Sequence, residues 1–371
     1  MTAHGPGPSF DWQESPGVRS HVASGEGRRT ARSGASAGRA APVPGGSAYH
    51  AELSVMPVTL GYVRPALKPG LLPVWRDRDT LQIGIDSRRA VALTGMAGLA
   101  WVVGLLDGSR DRAQVIQAAV DHGIPRQTAE RVLALLAMAG ALDDFPAGTL
   151  RMLSPPLRAR LAAELATASL AHRDGDGGAR TLARRLAAQV RVHGGGRVGA
   201  GIAGLLTTSG IGRVTHAEPG QAGQPRPDLA VLAGRQPLEL RASLMREQVP
   251  HLAASADEAI GIVGPLVIPG RTACLRCMDL TRTDRDPAWP LILAQLAGRA
   301  TDPLACDAPL AAAVAAQAAA QVLAFIDRAA AAEAVTNGTL ELFLPGWQWR
   351  RRTWPRHADC ACDSTTARRR E

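Results

Sequence analysis

From about residue 65 the chain alternates short β-rich runs with longer amphipathic stretches. LLPVWR (71–76), TLQIGI (80–85) and RAVAL (89–93) read as strands separated by the turn-formers DRD and DSR. Three helices follow. MAGLAWVVGLL (96–106) closes at Asp107-Gly108, and RAQVIQAAVDHG (112–123) closes at Gly123. RQTAERVLALLAMAG (126–140) opens after Pro125, ends at Gly140 and carries Val132, Leu135, Leu136 and Ala139 at helical spacing. All three strands precede the helices, which predicts a small α+β unit over 56–150.

Residues 151–180 read as a helix after Pro156 followed by a linker, HRDGDGGAR. Over 181–363 strands and helices alternate: a strand at Gln189–His193, a glycine-rich turn, a helix over Val198–Thr208, then buried runs at PDLAVLAG and EAIGIVGPLVIPG. Helices are expected near 286–299 and 307–330, and a hairpin at 338–354. Alternating strands and helices predict an α/β, doubly wound, Rossmann-like domain with a parallel sheet. Residues 1–55, rich in Gly, Ser, Pro, Ala and Arg without apolar periodicity, are expected to be disordered, as are 364–371. Met56 begins the first patterned stretch and is an alternative start of translation.

Composition removes several function classes. No apolar run reaches about 18 residues without a charge, a polar cluster or a Gly/Pro break, and the N-terminus lacks a secretory pattern, so the cytoplasm is the expected compartment. The formal charge is +9, from 42 basic against 33 acidic residues. Because Lys68 is the only lysine, that charge is arginine, as GC-rich coding produces, and nucleic-acid binding is not expected from it. The same fact excludes a GxxxxGK phosphate loop.

Cysteine spacing carries the clearest chemistry. Cys274 and Cys277 form CLRC, and Cys360 and Cys362 form CAC, two close pairs suited to one tetrahedral Zn²⁺ that staples the chain end to the sheet. A redox CxxC is the other reading, but such a motif should open a helix after a strand, whereas CLRC follows VIPGRTA. His357 is a minor alternative ligand. Four thiolates leave no open coordination position, so the metal would be structural.

A second signal is Gly194-Gly195-Gly196-Arg197-Val198-Gly199, a GxGxxG between strand and helix. Gly194, Gly196 and Gly199 would allow the tight turn, the approach of a phosphate and close helix packing, with Glu218 at the end of the next strand as the acidic partner. A tight turn binding no nucleotide fits equally. Cys306, the odd thiol, precedes a helix and is a weak nucleophile candidate. Trp347, Trp349 and Trp354 interleave with Arg350, Arg351, Arg352 and Arg356. Period-two alternation places the tryptophans near one face, and an amphipathic hairpin over the zinc site accounts for them better than a nucleic-acid surface.

VHGGGRVGAGIAGLLTTSGIGRVTHAEP, VGPLVIPGRTACLRCMDLTRTDRDPAWP and WPRHADCAC together resemble the ThiF/MoeB superfamily, which is related to ubiquitin-activating enzymes. The nearest variant is the branch associated with thiazole/oxazole-modified peptides and bacteriocin biosynthesis. Residues 65–145 resemble a PqqD-type leader-peptide-recognition domain, a winged-helix relative. The resemblance implies zinc at Cys274, Cys277, Cys360 and Cys362, and a nucleotide loop at Gly194, Gly196 and Gly199. It also implies features this chain lacks. The Asn-Leu-x-Arg-Gln phosphate clamp is absent from AEPGQAGQPRPD, and no aspartate ends PDLAVLAG, which speaks against ATP and Mg²⁺ as cofactors.

The main expectation is therefore a non-catalytic partner protein. It would bind a precursor leader peptide by strand addition through Arg89, Val91 and Leu93 with Arg131 and Leu135 on the facing helix, and present it to a YcaO-type cyclodehydratase. The alternative is an ATP-dependent adenylyltransferase activating a carboxylate of a sulfur carrier or peptide, with Cys306 as acceptor thiol. A homodimer is expected from the resemblance. A DNA-reading winged helix is disfavoured because its wing should follow the recognition helix.

Overall fold

The computed structural model describes residues 62–95, 98–145, 153–217, 225–297 and 305–362. The N-terminal segment, Met56, Glu218 and the C-terminal tail of the sequence reading lie outside them. The first described elements are β1 (Pro65–Leu67), β2 (Pro73–Trp75), β3 (Thr80–Ile83), β4 (Val91–Thr94), α1 (Leu99–Gly104), α2 (Arg112–Asp121), α3 (Arg126–Met138) and β5 (Leu142–Asp144). β2, β3 and β4 form an antiparallel sheet, as the turn-formers between them require. β5 follows α3 and pairs antiparallel with β1, so one strand does come after the helices. Three residues are too few for periodicity to show, which is why that pairing escaped the sequence. Asp111 caps α2 through a reciprocal capping box with Gln114. Leu81, Ile83, Leu93, Val115, Val132 and Leu136 close the core of this unit.

The middle segment is more helical than its glycines suggest: α4 (Pro155–Arg160), α5 (Ala162–His172) and α6 (Ala179–Ala187). Gly178 takes φ +79°, and a Cβ there would stand 2.6 Å from the Leu165 carbonyl oxygen, so glycine lets α6 start against α5. Lys68, which reads as a turn residue in KPG, is 2% exposed. Its Nζ donates to Asp143 Oδ1 at 2.7 Å and to Ser169 Oγ at 2.8 Å, and Ser169 Oγ donates to Asp143 Oδ2 at 2.6 Å. The sole lysine thus joins β1, β5 and α5.

The remaining elements are β6 (Gln189–His193), α7 (Gly196–Thr208), β7 (Arg213–Ala217), β8 (Leu229–Ala233), α8 (Leu238–Arg246), β9 (His251–Asp257), β10 (Ile260–Val267), α9 (Leu275–Arg285), α10 (Trp289–Ala297), α11 (Ala308–Asp327), a 3₁₀ turn at Ala330–Val335, β11 (Gly338–Phe343) and β12 (Gln348–Thr353). One seven-stranded sheet has the order β12-β11-β10-β9-β8-β6-β7. β9, β8, β6 and β7 are parallel, whereas β10, β11 and β12 are antiparallel. The expected all-parallel sheet is therefore mixed. The strand β10 is apolar because both its faces are covered, and an apolar run does not encode direction.

α7 and α11 pack on one face around Val190, Val192, Ile202, Val314 and Val322. α8 and α9 cover the other, around Ala230, Leu232, Leu244 and Cys277. By length and composition α11 is apolar enough to cross a membrane, yet half of it is buried as the core helix of this face. Its alanines let α7 approach closely. A Cβ on Gly201 would lie 2.9 Å from that of Ala315. Gly201→Leu is expected to cost about 1–3 kcal/mol by overpacking, read as a lower melting temperature.

Candidate functional site

Two sites stand at opposite parts of this sheet's architecture, and each is built by local chain geometry. The first is the glycine loop at the carboxyl end of β6. Gly194 takes φ +93°, and a Cβ on it would lie 2.1 Å from the Ala233 carbonyl oxygen. A Cβ on Gly199 would lie 2.4 Å from the Gly194 carbonyl oxygen, so both glycines serve close packing of loop, strand and helix. Gly195 and Gly196 have nothing within 4 Å of a Cβ position. Their backbone faces open space at the first turn of α7, where unpaired N–H groups favour an anion.

The rim of this loop is charged by Arg197 of the motif itself and by two residues outside it. Arg197, on the first turn of α7, donates to the Cys306 carbonyl oxygen at 3.3 Å. Arg235, just past β8, faces Asp257 at the end of β9, with Nη2 and Oδ2 3.8 Å apart. Burial pushes the Asp257 carboxyl above its ordinary value, and Arg235 pulls against that. Gln236 Nε2 donates to the carbonyl oxygens of Ala233 (2.7 Å) and His193 (3.3 Å), tying the ends of β6 and β8 together. The aspartate expected at the end of β8 is missing, but β9 brings Asp257 to the same end of the sheet.

His193 ends β6 with its Nε2 buried and unpartnered among the described residues. Burial, followed by the charge of Arg191, lowers its pKa to about 4. His251, buried at the start of β9 with Nδ1 donating to the Val249 carbonyl oxygen at 2.9 Å, is also lowered by burial. Both therefore bind a proton more weakly folded than unfolded. Below pH about 6.5 the unfolded chain holds protons that the folded one does not, so stability falls as pH drops from 6.5 towards 4. His193→Gln is expected to flatten that decline in urea titrations made at pH 4.5 and pH 7.5.

Cys306 sits between loop and helix with its thiol pushed up, first by burial and then by Asp257. The helix beyond it is capped by Asp307, whose Oδ1 accepts from Leu310 N at 2.9 Å. Burial and Asp257 thus outweigh any lowering by the helix end. Of the peptide-contact candidates, Leu93 is 1% exposed in the core of its unit and does not present itself to a ligand. Arg131 is exposed, Val91 and Leu135 are half-buried, and Arg89 Nη1 donates to the Leu170 carbonyl oxygen at 2.7 Å.

The second site is the cysteine cluster. Cys274 is the N-cap of α9 and Cys277 lies in its first turn, so CLRC does open a helix, contrary to the sequence reading. What separates it from a redox pair is the convergence of the other two thiols. Sγ–Sγ distances are 3.8 Å for Cys274–Cys277, 3.6 Å for Cys274–Cys360 and 3.4 Å for Cys277–Cys362. All four sulfurs lie within 4.8 Å of one another. A tetrahedron of sulfurs at about 2.3 Å from one ion has edges of about 3.8 Å, so the cluster fits Zn²⁺. The separations are far longer than the roughly 2.05 Å of a disulfide. The hydrogen bond from Cys274 lowers the Cys277 thiol to about 4, whereas burial and its sulfur neighbours push Cys362 up to about 12. Crowded thiols of this kind lose all their protons only against a cation.

Asn337 aligns the two halves of the cluster: its Oδ1 accepts from Ala273 N at 2.7 Å and its carbonyl from Trp354 N at 2.9 Å. His357 Nε2 pairs with Asp284 at 2.8 Å beside the cluster. The three tryptophans do not share a face. Trp354, past the end of β12, is buried against the cysteines with Nε1 donating to Thr339 Oγ1 at 3.0 Å, while Trp347 and Trp349 are exposed.

No family model and no curated protein matches the chain. Solved structures do. Escherichia coli MccB with succinimide aligns over 81% of this chain and 98% of its own, at TM-score 0.57 and 15% identity. The E. coli MccB complex with AMPCPP and MccA aligns over 81% and 99%, at TM-score 0.57 and 14% identity. The heterocyclase TruD aligns over 83% of this chain and 44% of its own, at TM-score 0.57 and 19% identity. MccB is a microcin C7 biosynthetic enzyme, and its solved complexes hold AMPCPP and MccA. This overturns the expectation of a non-catalytic presenter for a separate YcaO-type cyclodehydratase, and the exclusion of ATP and Mg²⁺. Both rested on missing side chains, whereas the loop offers backbone amides and the fold brings Arg197, Arg235 and Asp257 to its rim. The chain has the ThiF-type Rossmann-like fold that MccB and TruD share.

Proposed function

We propose that the chain is an ATP-dependent adenylyltransferase that activates a carboxylate of a ribosomally made peptide. The observation that carries this reading is the open backbone of Gly195 and Gly196 at the first turn of α7, set within the fold of MccB. The loop fits a nucleoside triphosphate: it has room where side chains would stand, amide donors for phosphate, two guanidinium groups and one carboxylate. ATP, when bound, supplies the AMP group that activates a carboxylate. The amides of Gly194–Gly196 would hold phosphate oxygens, Arg197 and Arg235 would offset their charge, and Asp257 would serve the divalent cation. His193, neutral at pH 7, would offer its unpaired nitrogen to the bound molecule. The unit carrying β4 and α3 would grip the precursor peptide through Val91, Arg131 and Leu135, by strand addition to β4. Zn²⁺ at the four cysteines would hold the chain end and take no part in chemistry.

Gly195 has φ −104°, outside the left-handed region, so a side chain there meets neither strain nor atoms. Gly195→Asp is expected to lower Mg²⁺-dependent ATP–pyrophosphate exchange by about 100-fold or more, because a carboxylate would occupy the phosphate position at a cost of several kcal/mol. Its melting temperature and zinc content should match wild type. Absence of exchange by the wild-type protein with cognate peptide, ATP and Mg²⁺ would defeat the assignment.

A further inference from the structure

We propose that the outer edge of β12 is a docking strand for an extended acidic segment of a partner protein, which would add an eighth strand to the sheet. β12 is the terminal strand of the seven, and all six of its residues are exposed. An open edge offers a row of unpaired backbone N–H and C=O groups, and its side chains decide which strand it accepts. Here they are sorted by the pairing with β11. Trp349 lies opposite Leu342 and Arg351 opposite Leu340, whereas Arg350 lies opposite Glu341 and Arg352 opposite Thr339.

On the Arg350 and Arg352 face the arginines outnumber the one carboxylate of β11, Glu341. Arg352 stacks on Trp354 with its guanidinium 4.3 Å from the ring centroid, and Arg282 stands between Trp354 (5.2 Å) and Trp289 (4.7 Å). Stacking fixes the planes of these guanidinium groups; Arg282 Nη1 already lies 3.7 Å from Asp279 Oδ1, whereas Arg352 keeps its N–H donors for an incoming carboxylate. Arg350 makes no hydrogen bond or ion pair among the described residues. On the opposite face Arg351 is tied back, with Nε donating to the Ala334 carbonyl oxygen at 2.9 Å and Nη2 to that of Thr336 at 3.1 Å. Trp349 is left there as an apolar platform, 36% exposed, with Trp347 (46%) in the adjoining turn.

An incoming strand would therefore carry carboxylates two residues apart, about 6.6–6.8 Å along the strand, to meet Arg350 and Arg352. At the next position, beyond the carboxylate facing Arg350, it would carry an apolar side chain for Trp349. Two copies of β12 laid antiparallel would set arginine against arginine, so charge selects against a second copy of this chain.

The probe is a fluorescein-labelled peptide of four Glu-Val repeats, titrated by anisotropy into the full chain. Saturable binding that weakens as salt rises from 50 to 300 mM is expected. Arg350→Glu/Arg352→Glu should weaken it at least tenfold and should instead bind a Lys-Val repeat. Unchanged zinc content and circular dichroism would show that the variant is folded. No saturable binding would mean that the arginines only guard the edge, and would overturn the proposal. So would equal binding by the variant, tighter binding of a single-stranded oligonucleotide than of the peptide, or a dimer in sedimentation that the double variant abolishes.

Discussion

Cys277→Ser is expected to release zinc and to unfold the end of the chain. The wild-type protein should hold one equivalent by elemental analysis, and the variant much less than one. Four sulfurs within 4.8 Å gather the first turn of α9 and the segment beyond β12, which Asn337, Trp354 and the His357–Asp284 pair also help to hold. Structural Zn²⁺ in small sites is worth about 10–16 kcal/mol of apparent binding energy, so its loss exceeds any single contact nearby. The melting temperature should fall by about 10 °C or more, and mild proteolysis should clip the chain after β12. A strong chelator should reproduce the effect in wild type, and acid should as well, because thiolate ligands must reprotonate to leave. Cys306→Ser, which alters a thiol outside the cluster, should keep the metal. A metal-free wild-type protein with the same melting temperature in chelator would remove the zinc assignment.

Lys68→Ala is expected to destabilise the fold by about 3–5 kcal/mol, because it leaves the Asp143 carboxylate buried with only Ser169 as donor. Lys68 and Asp143 are each 2% exposed, so water cannot replace the lost partner. Denaturant unfolding followed by far-UV circular dichroism reads the loss directly. Lys68→Met/Asp143→Leu should recover most of it, since a buried ion pair exchanged for packed apolar side chains is often neutral. If the single variant unfolds at the wild-type midpoint, the pair does not hold β1, β5 and α5 together.

The two halves of the molecule differ in how much of them can be read along the chain. The strand Gln189–His193, the turn at Gly194 and α7 are local: period-two burial, a residue at φ +93° and a glycine-rich helix start all lie within twenty residues. The cysteine pairs are legible for the same reason, since CLRC and CAC each place two sulfurs close by spacing alone. Their union is not, because 85 or 86 residues separate the pairs that touch. Asp257 belongs to no motif of the sequence. Only the parallel pairing of β8 and β9 brings it to Arg235 and to the glycine loop. A motif is read along one strand, whereas this carboxylate comes from the next.

Leu93 and Trp354 teach the complementary lesson. On a strand beside Arg89 and Val91, Leu93 could face a peptide or the core, and α3 decided for the core. Trp354 belongs by parity with neither Trp347 nor Trp349, and the end of β12 releases it to cover the cysteines. Sequence alone determined the alternation of elements, the glycine turn, the thiol spacing and the excess of arginine, each fixed by interactions among near neighbours. Tertiary structure alone decided the burial of Lys68, the antiparallel half of the sheet, the arrival of Asp257 and the exposure of β12. Those depend on which distant surfaces exclude water from a residue, and burial by a distant element leaves no periodic trace in the chain it buries.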